Sequence, residues 1–276
     1  MSHPDPFPIH SVYPALPPPV AVELTLLGEH DCNYLPGRPA QSRAVRANRI
    51  DPRLYHEFMN ANFRRSGDVL YQPVCRSCRA CVAVRVPVAE FVASKSQRRV
   101  WGKNQDLLVG VGIPEPGDEK FDLYRRYLVD RHDGSMNADD RDGFEAFLYR
   151  SPVDTLEFTY RTAEGKLIAV GICDVCDQSL SSVYFYFDPD ESRRSPGIFG
   201  ALYELEFCRR HAVPMYYLGY WVAGCRTMEY KTRFTPTEYL SGDGVWRREL
   251  EGLRDERVSS NHTHAAPGSA DQVDGT

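Results

Sequence analysis

Between Thr155 and Trp221 the chain changes periodicity in a way that few folds accommodate. Three stretches, TLEFTYRT, KLIAVGICDVC and SLSSVYFYFDP, carry the β-branched and aromatic residues of strands, the first two joined at a Glu164-Gly165 turn. SPGIFGALYELEFCRRHA comes next, with Ser195 placed to N-cap a helix and Pro196 at its first position. The aromatic strand MYYLGYW closes the run. Upstream, DEKFDLYRRYLVDRH sets Phe121, Tyr124, Tyr127 and Leu128 at helical spacing, and DRDGFEAFLYRS reads as a second, shorter helix. Helix, helix, strand, strand, strand, helix, strand predicts an α+β domain, with antiparallel hairpins and then a strand–helix–strand crossover.

A chain of 276 residues with 42% hydrophobic content can build a sizeable core. No apolar run reaches the roughly 18 residues of a membrane span, and the first residues lack the basic and apolar segments of a secretory signal, so a cytoplasmic location without membrane contact is expected. Seven prolines in residues 1–20 predict an extended arm, and the polar, aperiodic C-terminal end predicts a flexible tail over 251–276. The Gly- and Pro-rich stretch GVGIPEPGDEK marks a boundary between an N-terminal region, 21–110, and a C-terminal domain, 111–250. A net charge of −5 conceals an asymmetry: Arg38 to Lys103 holds 14 Lys+Arg against 4 Asp+Glu, a balance of +10, leaving −15 elsewhere. Such a segment is either a solvated surface or the footprint of a phosphate-bearing partner.

Within that basic segment, YQPVCRSCRAC spaces Cys75, Cys78 and Cys81 three residues apart with arginines between them. A reducing compartment disfavours a disulfide framework. With Cys32 of HDCNYLPG the three supply four thiolates, the number that a zinc ion or an iron–sulfur cluster takes. Cys173 and Cys176 of CDVC offer another completion with Cys75 and Cys78. Reduced thiols lining a packed turn, or a redox switch, also account for the spacing.

Strict alternation along SSVYFYFDP puts Val183, Phe185 and Phe187 on one face and Ser182, Tyr184, Tyr186 and Asp188 on the other, which is polar for plain core. In MYYLGYW it sets Tyr216, Leu218 and Tyr220 against Tyr217, Gly219 and Trp221, with the glycine where a bulge or close backbone approach would fit. The histidines are scattered, and neither a Ser-His-Asp nor a Cys-His pair stands out. The element order is that of a GCN5-related acyltransferase-like core, an antiparallel sheet with flanking helices, here behind a cysteine-bearing N-terminal region. The central helix of that core begins at a glycine-bearing loop suited to an anion, and Gly197 occupies that place. Acyl transfer to an α-amine of pKa roughly 7.7–8.0 needs orientation, oxyanion stabilisation and a proton acceptor rather than a nucleophile. Asp188, Tyr184, Tyr186 and Tyr220 are the candidates for that catalytic work.

CNYLPGR, YQPVCRSCRACVAVRV, SKSQRRVWGKNQDL, SSVYFYFDP, the RRSPG loop and YYLGYWVAGCRTMEYKTRF, in order over about residues 25 to 240, resemble the arginyl-tRNA–protein transferase family, most closely its compact bacterial aspartate/glutamate leucyltransferases. The resemblance implies transfer of leucine from leucyl-tRNA to the α-amine of proteins that begin with Asp or Glu, creating an N-degron. Arginyl transfer on the same fold is the sister reading, and an RNA-binding or metal-sensing module around CxxCxxC is the non-enzymatic one. No cofactor is implied for the transfer itself, while eukaryotic relatives have been associated with a cluster or haem near the N-terminal cysteines. Arg76, Arg85, Arg98, Arg99 and Lys231 are expected to serve the tRNA backbone or the acidic substrate, and Phe185, Tyr220 and Trp221 to line a leucine pocket. Pro196 departs from the family pattern, in which an apolar residue, usually leucine, precedes the loop glycine.

Overall fold

The computed structural model describes residues 22–131, 137–176 and 178–249. The expected arm over 1–20 lies outside them, as does the tail over 251–276. The N-terminal region forms β1 (Thr25–Leu26), β2 (His30–Asp31), β3 (Pro39–Ala40), β4 (Ser42–Arg46), α1 (Pro52–Asn60), β5 (Arg64–Ser66), β6 (Val69–Pro73), β7 (Cys81–Pro87) and α2 (Lys95–Lys103). It continues into β8 (Leu108–Gly112), α3 (Asp118–Arg131), α4 (Arg141–Leu148), β9 (Thr155–Arg161), β10 (Leu167–Val175) and β11 (Ser179–Phe187). Then come α5 (Pro196–Arg210), β12 (Met215–Val222), β13 (Glu238–Leu240) and β14 (Trp246–Arg247). From α3 to β12 the observed order is the one predicted.

Local chemistry fixes several starts. Asp51 caps α1 through Arg53 N, and Ser94 and Gln97 form a reciprocal capping box on α2. Pro196 begins α5, but Ser195 sits in the left-handed region at φ 55° and makes no side-chain cap.

Strands β14-β13-β7-β12-β11-β10-β9-β8 make one mixed sheet, and β1-β4-β6-β5 a smaller second one. β9, β10 and β11 form the antiparallel meander, and α5 carries the chain over to β12, which pairs parallel to β11. β7, from the N-terminal region, pairs antiparallel with β12 inside the large sheet, so the boundary expected near residue 110 cuts across one continuous sheet. That pairing joins residues more than a hundred positions apart, which no local pattern reveals.

One face of the sheet packs on α5, where Phe199, Leu202, Leu205 and Cys208 meet Val84, Val86, Phe158 and Tyr216. Gly200 permits the contact: a Cβ there would lie 2.2 Å from the Phe185 ring. On the other face Tyr124, Phe144 and Leu148, from α3 and α4, cover Val170, Ile172 and Tyr186. Tyr55, Phe58 and Met59 of α1 pack with Leu70 of the small sheet against Tyr217.

Candidate functional site

β11 and β12 pair over only three residues, Ser179↔Met215, Leu180↔Tyr216 and Ser181↔Tyr217. β11 then runs on to Phe187 and β12 to Val222 without pairing to each other, so the sheet forks. Facing strand edges beyond such a fork are where an extended segment can lie against backbone donors and acceptors.

A bulge lies beside each prong. Opposite β11, Ile172 pairs with Tyr184 and Cys173 with Ser182, leaving Val183 as the extra residue. In β12, Tyr217 pairs with Arg85 and Gly219 with Val84, leaving Leu218 extra, with Gly219 at φ 81°. The glycine's anticipated role is met, but each extra residue flips the alternation of the side chains beyond it. Val183 therefore packs with Tyr184 on the α3–α4 side while Phe185 and Phe187 pack towards α5. Likewise Tyr216, Leu218 and Trp221 share the α5 face, whereas Tyr220 and Val222 face away from it.

Two groups of buried ionisable side chains flank the fork. On the α5 side, Glu204 is fully enclosed, its Oε2 accepting a hydrogen bond from the Tyr216 hydroxyl while Oε1 has no partner among the described residues. Burial pushes the Glu204 carboxyl up to about 7, against the opposing pull of Tyr216, Cys173 and Ser182. Burial and, after it, the nearby Glu204 charge push up the hydroxyl of Tyr230, from the 3-10 segment Arg226–Arg233 that succeeds β12.

On the opposite side lies Arg64, over Tyr217 and Tyr220, and beside the fork at Gly219 lies Lys231, near enough to feel the Arg64 charge; they are 5% and 8% exposed. Lys231 Nζ donates to Tyr220 O at 2.7 Å and would sit 3.4 Å from a Cβ on Gly219. Burial and then Arg64 push the Lys231 amine down to about 7, with Cys225 opposing. The Arg64 guanidinium lies over the rings of Tyr217 and Tyr220, 5.5 and 5.3 Å from their centres, and its Nη1 donates to Met59 O and Phe63 O. Its Nε and Nη2 are buried without a hydrogen-bond partner among the described residues, and no carboxylate of those residues pairs with either cation. Asn62, in the left-handed region at φ 64°, turns the chain out of α1 towards Arg64, and its carbonyl accepts from the Tyr220 hydroxyl at 2.7 Å.

Against known families, the model described as Arginine-tRNA-protein transferase, N terminus, matches residues 30–99, and its C-terminus counterpart matches residues 119–241. The aspartate/glutamate leucyltransferase of Pseudomonas putida (strain W619) is 41% identical over 213 residues, 76% of this chain and 90% of that protein. That of Acinetobacter baumannii (strain ATCC 17978) is 41% identical over 234 residues, covering 83% and 85%. The chain belongs to the arginine-tRNA-protein transferase family. Among solved structures, FemX overlaps it with a TM-score of 0.46 at 8% identity, covering 79% of this chain and 74% of that one.

In this transferase the expected site residues scatter. Asp188 is enclosed, bonded to Arg126 Nη2 at 2.6 Å, Lys166 Nζ at 2.9 Å and the Asp190 amide. Burial pushes its carboxyl up, but Lys166, that amide and Arg126 outweigh the effect and hold it below the usual range. It braces the connector from β11 to α5. Tyr184 and Tyr186 pack among Tyr124, Phe144 and Phe147, and burial pushes both hydroxyls up, away from proton exchange near neutral pH. Their face is therefore an aromatic core under α3 and α4 rather than an open cleft, contrary to the sequence expectation. Tyr220 faces Arg64, while Phe185 and Trp221 lie on the α5 side, so the three do not line one pocket.

The cations also divide. Arg85 is neutralised by Glu238 at 2.8 Å and stacks 4.1 Å from the centre of the Trp246 ring. Arg76 is exposed, 3.9 Å from Glu29. Arg98 and Arg99 are exposed on α2 together with Lys95 and Lys103. That helix borders an open groove of about 590 Å³, lined by Lys103, Arg193 and Arg194 with Asp106, Asp190 and Glu191, just before Gly197. Space around Gly197 is open.

Cys32, Cys75 and Cys78 all raise the pKa of Cys81 electrostatically, after the larger effect of burial, so the four thiols are neighbours. Cys32 Sγ accepts from Leu35 N and Cys75 Sγ from Gln41 N, while Arg79 straps the turn through the carbonyls of Cys75 and Cys78. Among the described residues no group of three His, Cys, Asp or Glu is arranged, as placed, to hold a metal ion. Cys173 and Cys176 are buried in two separate core clusters.

Neither Glu204 nor Arg64 is singled out by the sequence alone. Glu204 does leave a signal: it falls at helical spacing between Gly200 and Cys208 on the apolar face of α5. Arg64 gives none, because FRRSG looks like any basic loop.

Proposed function

We propose that this chain transfers leucine from leucyl-tRNA to the α-amine of proteins whose first residue is Asp or Glu, leaving an N-terminal leucine that marks them for degradation. The observation that carries the reading is 41% identity to a protein named aspartate/glutamate leucyltransferase, over 76% of this chain and 90% of that protein. The forked β11–α5–β12 unit supports a core of the GCN5-related acyltransferase type. Exposed Lys95, Arg98, Arg99 and Lys103, with Arg193 beside them, suit the phosphates of a tRNA acceptor end arriving next to the start of α5.

In the reaction the neutral α-amine attacks the carbonyl carbon of the leucyl ester. An amide bond forms, the ester C–O bond breaks, and the terminal ribose hydroxyl of the tRNA leaves with a proton. The amine's own proton needs an acceptor, and Glu204, balanced near neutrality beside the fork, is the group we assign to it. No step is assigned to a metal.

The test mixes purified protein, an Asp-starting peptide and tRNA charged separately with leucine or arginine, and monitors peptide mass. Addition of leucine is the expected result. Addition of arginine alone would move the reading to the sister reaction, and no addition from either would return the RNA-binding module to the front.

A further inference from the structure

Arg64 and Lys231 are two buried cations whose anion is missing from the described residues. Enclosing charge without a counter-charge is among the costliest things a fold does. Here it is only partly offset, by two tyrosine faces and by the carbonyls of Met59, Phe63 and Tyr220. Among the described residues the other ionisable groups facing the pair are Tyr71, Tyr217, Tyr220, Cys176 and Cys225, none of them a carboxylate, and burial pushes the three tyrosines and Cys176 up, so these four stay neutral near pH 7. The two unused guanidinium nitrogens, Nε and Nη2, form the edge that grips a carboxylate at both oxygens.

Position adds a second, independent observation. Arg64 lies over Tyr217 and Tyr220, and Lys231 lies against Gly219, so both cations flank the stretch of β12 at which β11 has just departed. A peptide entering the fork in extended form would bring its first side chain to this stretch.

Resting on the leucyl-transfer reading above, we propose that Arg64 and Lys231 seat the side-chain carboxylate of the acceptor's N-terminal Asp or Glu, and so set the preference for acidic N-termini. Arg64 supplies the two-pronged grip and Lys231 a second positive charge. Arg85, which sequence reasoning favours, already has Glu238 and is not part of the seat.

The experiment uses the full chain, leucyl-tRNA and peptides identical except for a first residue of Asp or Asn. Wild type should favour Asp by at least a hundredfold in kcat/KM. Arg64→Gln should cut that ratio at least tenfold through the peptide KM, with the KM for leucyl-tRNA unchanged, and Lys231→Met should act in the same direction. The Asp peptide should raise the melting temperature of wild type more than the Asn peptide does, and this difference should vanish in Arg64→Gln. Should Arg64→Gln fail to fold, Lys231→Met carries the same readouts. A folded variant that keeps the wild-type Asp/Asn ratio and melting shift would overturn the proposal while leaving leucyl transfer standing. Wild type that adds leucine to neither peptide would remove the transfer reading and the proposal together.

Discussion

Arg64 and Arg65 are adjacent, equally buried and differently treated. Arg65 Nε meets Asp174 Oδ2 at 2.7 Å, and Asp174 is completed by the Tyr55 hydroxyl at 2.7 Å and Thr155 Oγ1 at 3.0 Å. Arg64 faces the other way and, among the described residues, finds rings and carbonyls but no carboxylate. The fold has the means to neutralise a buried guanidinium and does so one residue away. An arginine cannot discharge by losing its proton, so where the counter-ion is missing the neighbouring lysine yields its proton instead. Glu204 solves the mirror-image problem across the sheet by holding a proton near neutrality.

If the missing counter-ion is what sets Arg64 and its lysine apart, the difference should register in stability against pH. Lys231 has a folded pKa of about 7 against an ordinary 10.5, so below pH 7 it is charged in both states and the folded state bears the cost. Stability should climb as pH rises from 7 towards 10.5, by up to about 5 kcal/mol. Lys231→Met should flatten that climb in urea melts across pH 6 to 10; an unchanged slope would mean that Lys231 is not the strained group.

Arg65→Ala strands Asp174 and should cost roughly 3–5 kcal/mol. Arg64→Gln strands no charge and should stay within about 1 kcal/mol of wild type. Equal losses would erase the distinction between the two arginines.

Glu204 shifts the other way, from 4.5 to about 7, so its contribution is greatest below pH 4.5 and fades as pH rises through 7. The span is up to about 3 kcal/mol. Glu204→Gln should remove this decline, and should also slow transfer by about a hundredfold at pH 7 if the carboxylate accepts the amine's proton. Full activity in a folded variant would end that assignment.

The smallest effect belongs to the surface of α2. Arg99→Ala should lower the salt dependence of tRNA binding by about one log unit per log unit of salt while leaving Asp/Asn preference alone. A changed preference would place Arg99 at the peptide instead.

Much of this architecture is legible because local periodicity and caps decide it: α3, α4, β9 to β11, α5 and β12 all stand where their patterns put them. The site is less legible for one physical reason. A single extra residue, Val183 or Leu218, reverses every side chain beyond it, so strict alternation assigns Tyr220 and Trp221 to the wrong faces. A bulge reflects pairing with another strand, and pairing is not local. Arg85 looks like a free cation in the sequence, yet its neutralising partner, Glu238, is 153 residues away. Arg64 escapes notice because burial, rather than residue type, is what makes it unusual.

The central claim is that the Arg64–Lys231 pair awaits a carboxylate, and calorimetry of peptide binding in buffers of different ionisation enthalpy tests it most directly. At about pH 8 the free Lys231 amine is mostly neutral, because burial and then Arg64 push its pKa down to about 7, with Cys225 opposing. Seating a carboxylate beside it should draw in close to one proton more for an Asp peptide than for its Asn counterpart, the change at the α-amine being common to both. Equal proton uptake for the two peptides, or none for either, would contradict the account.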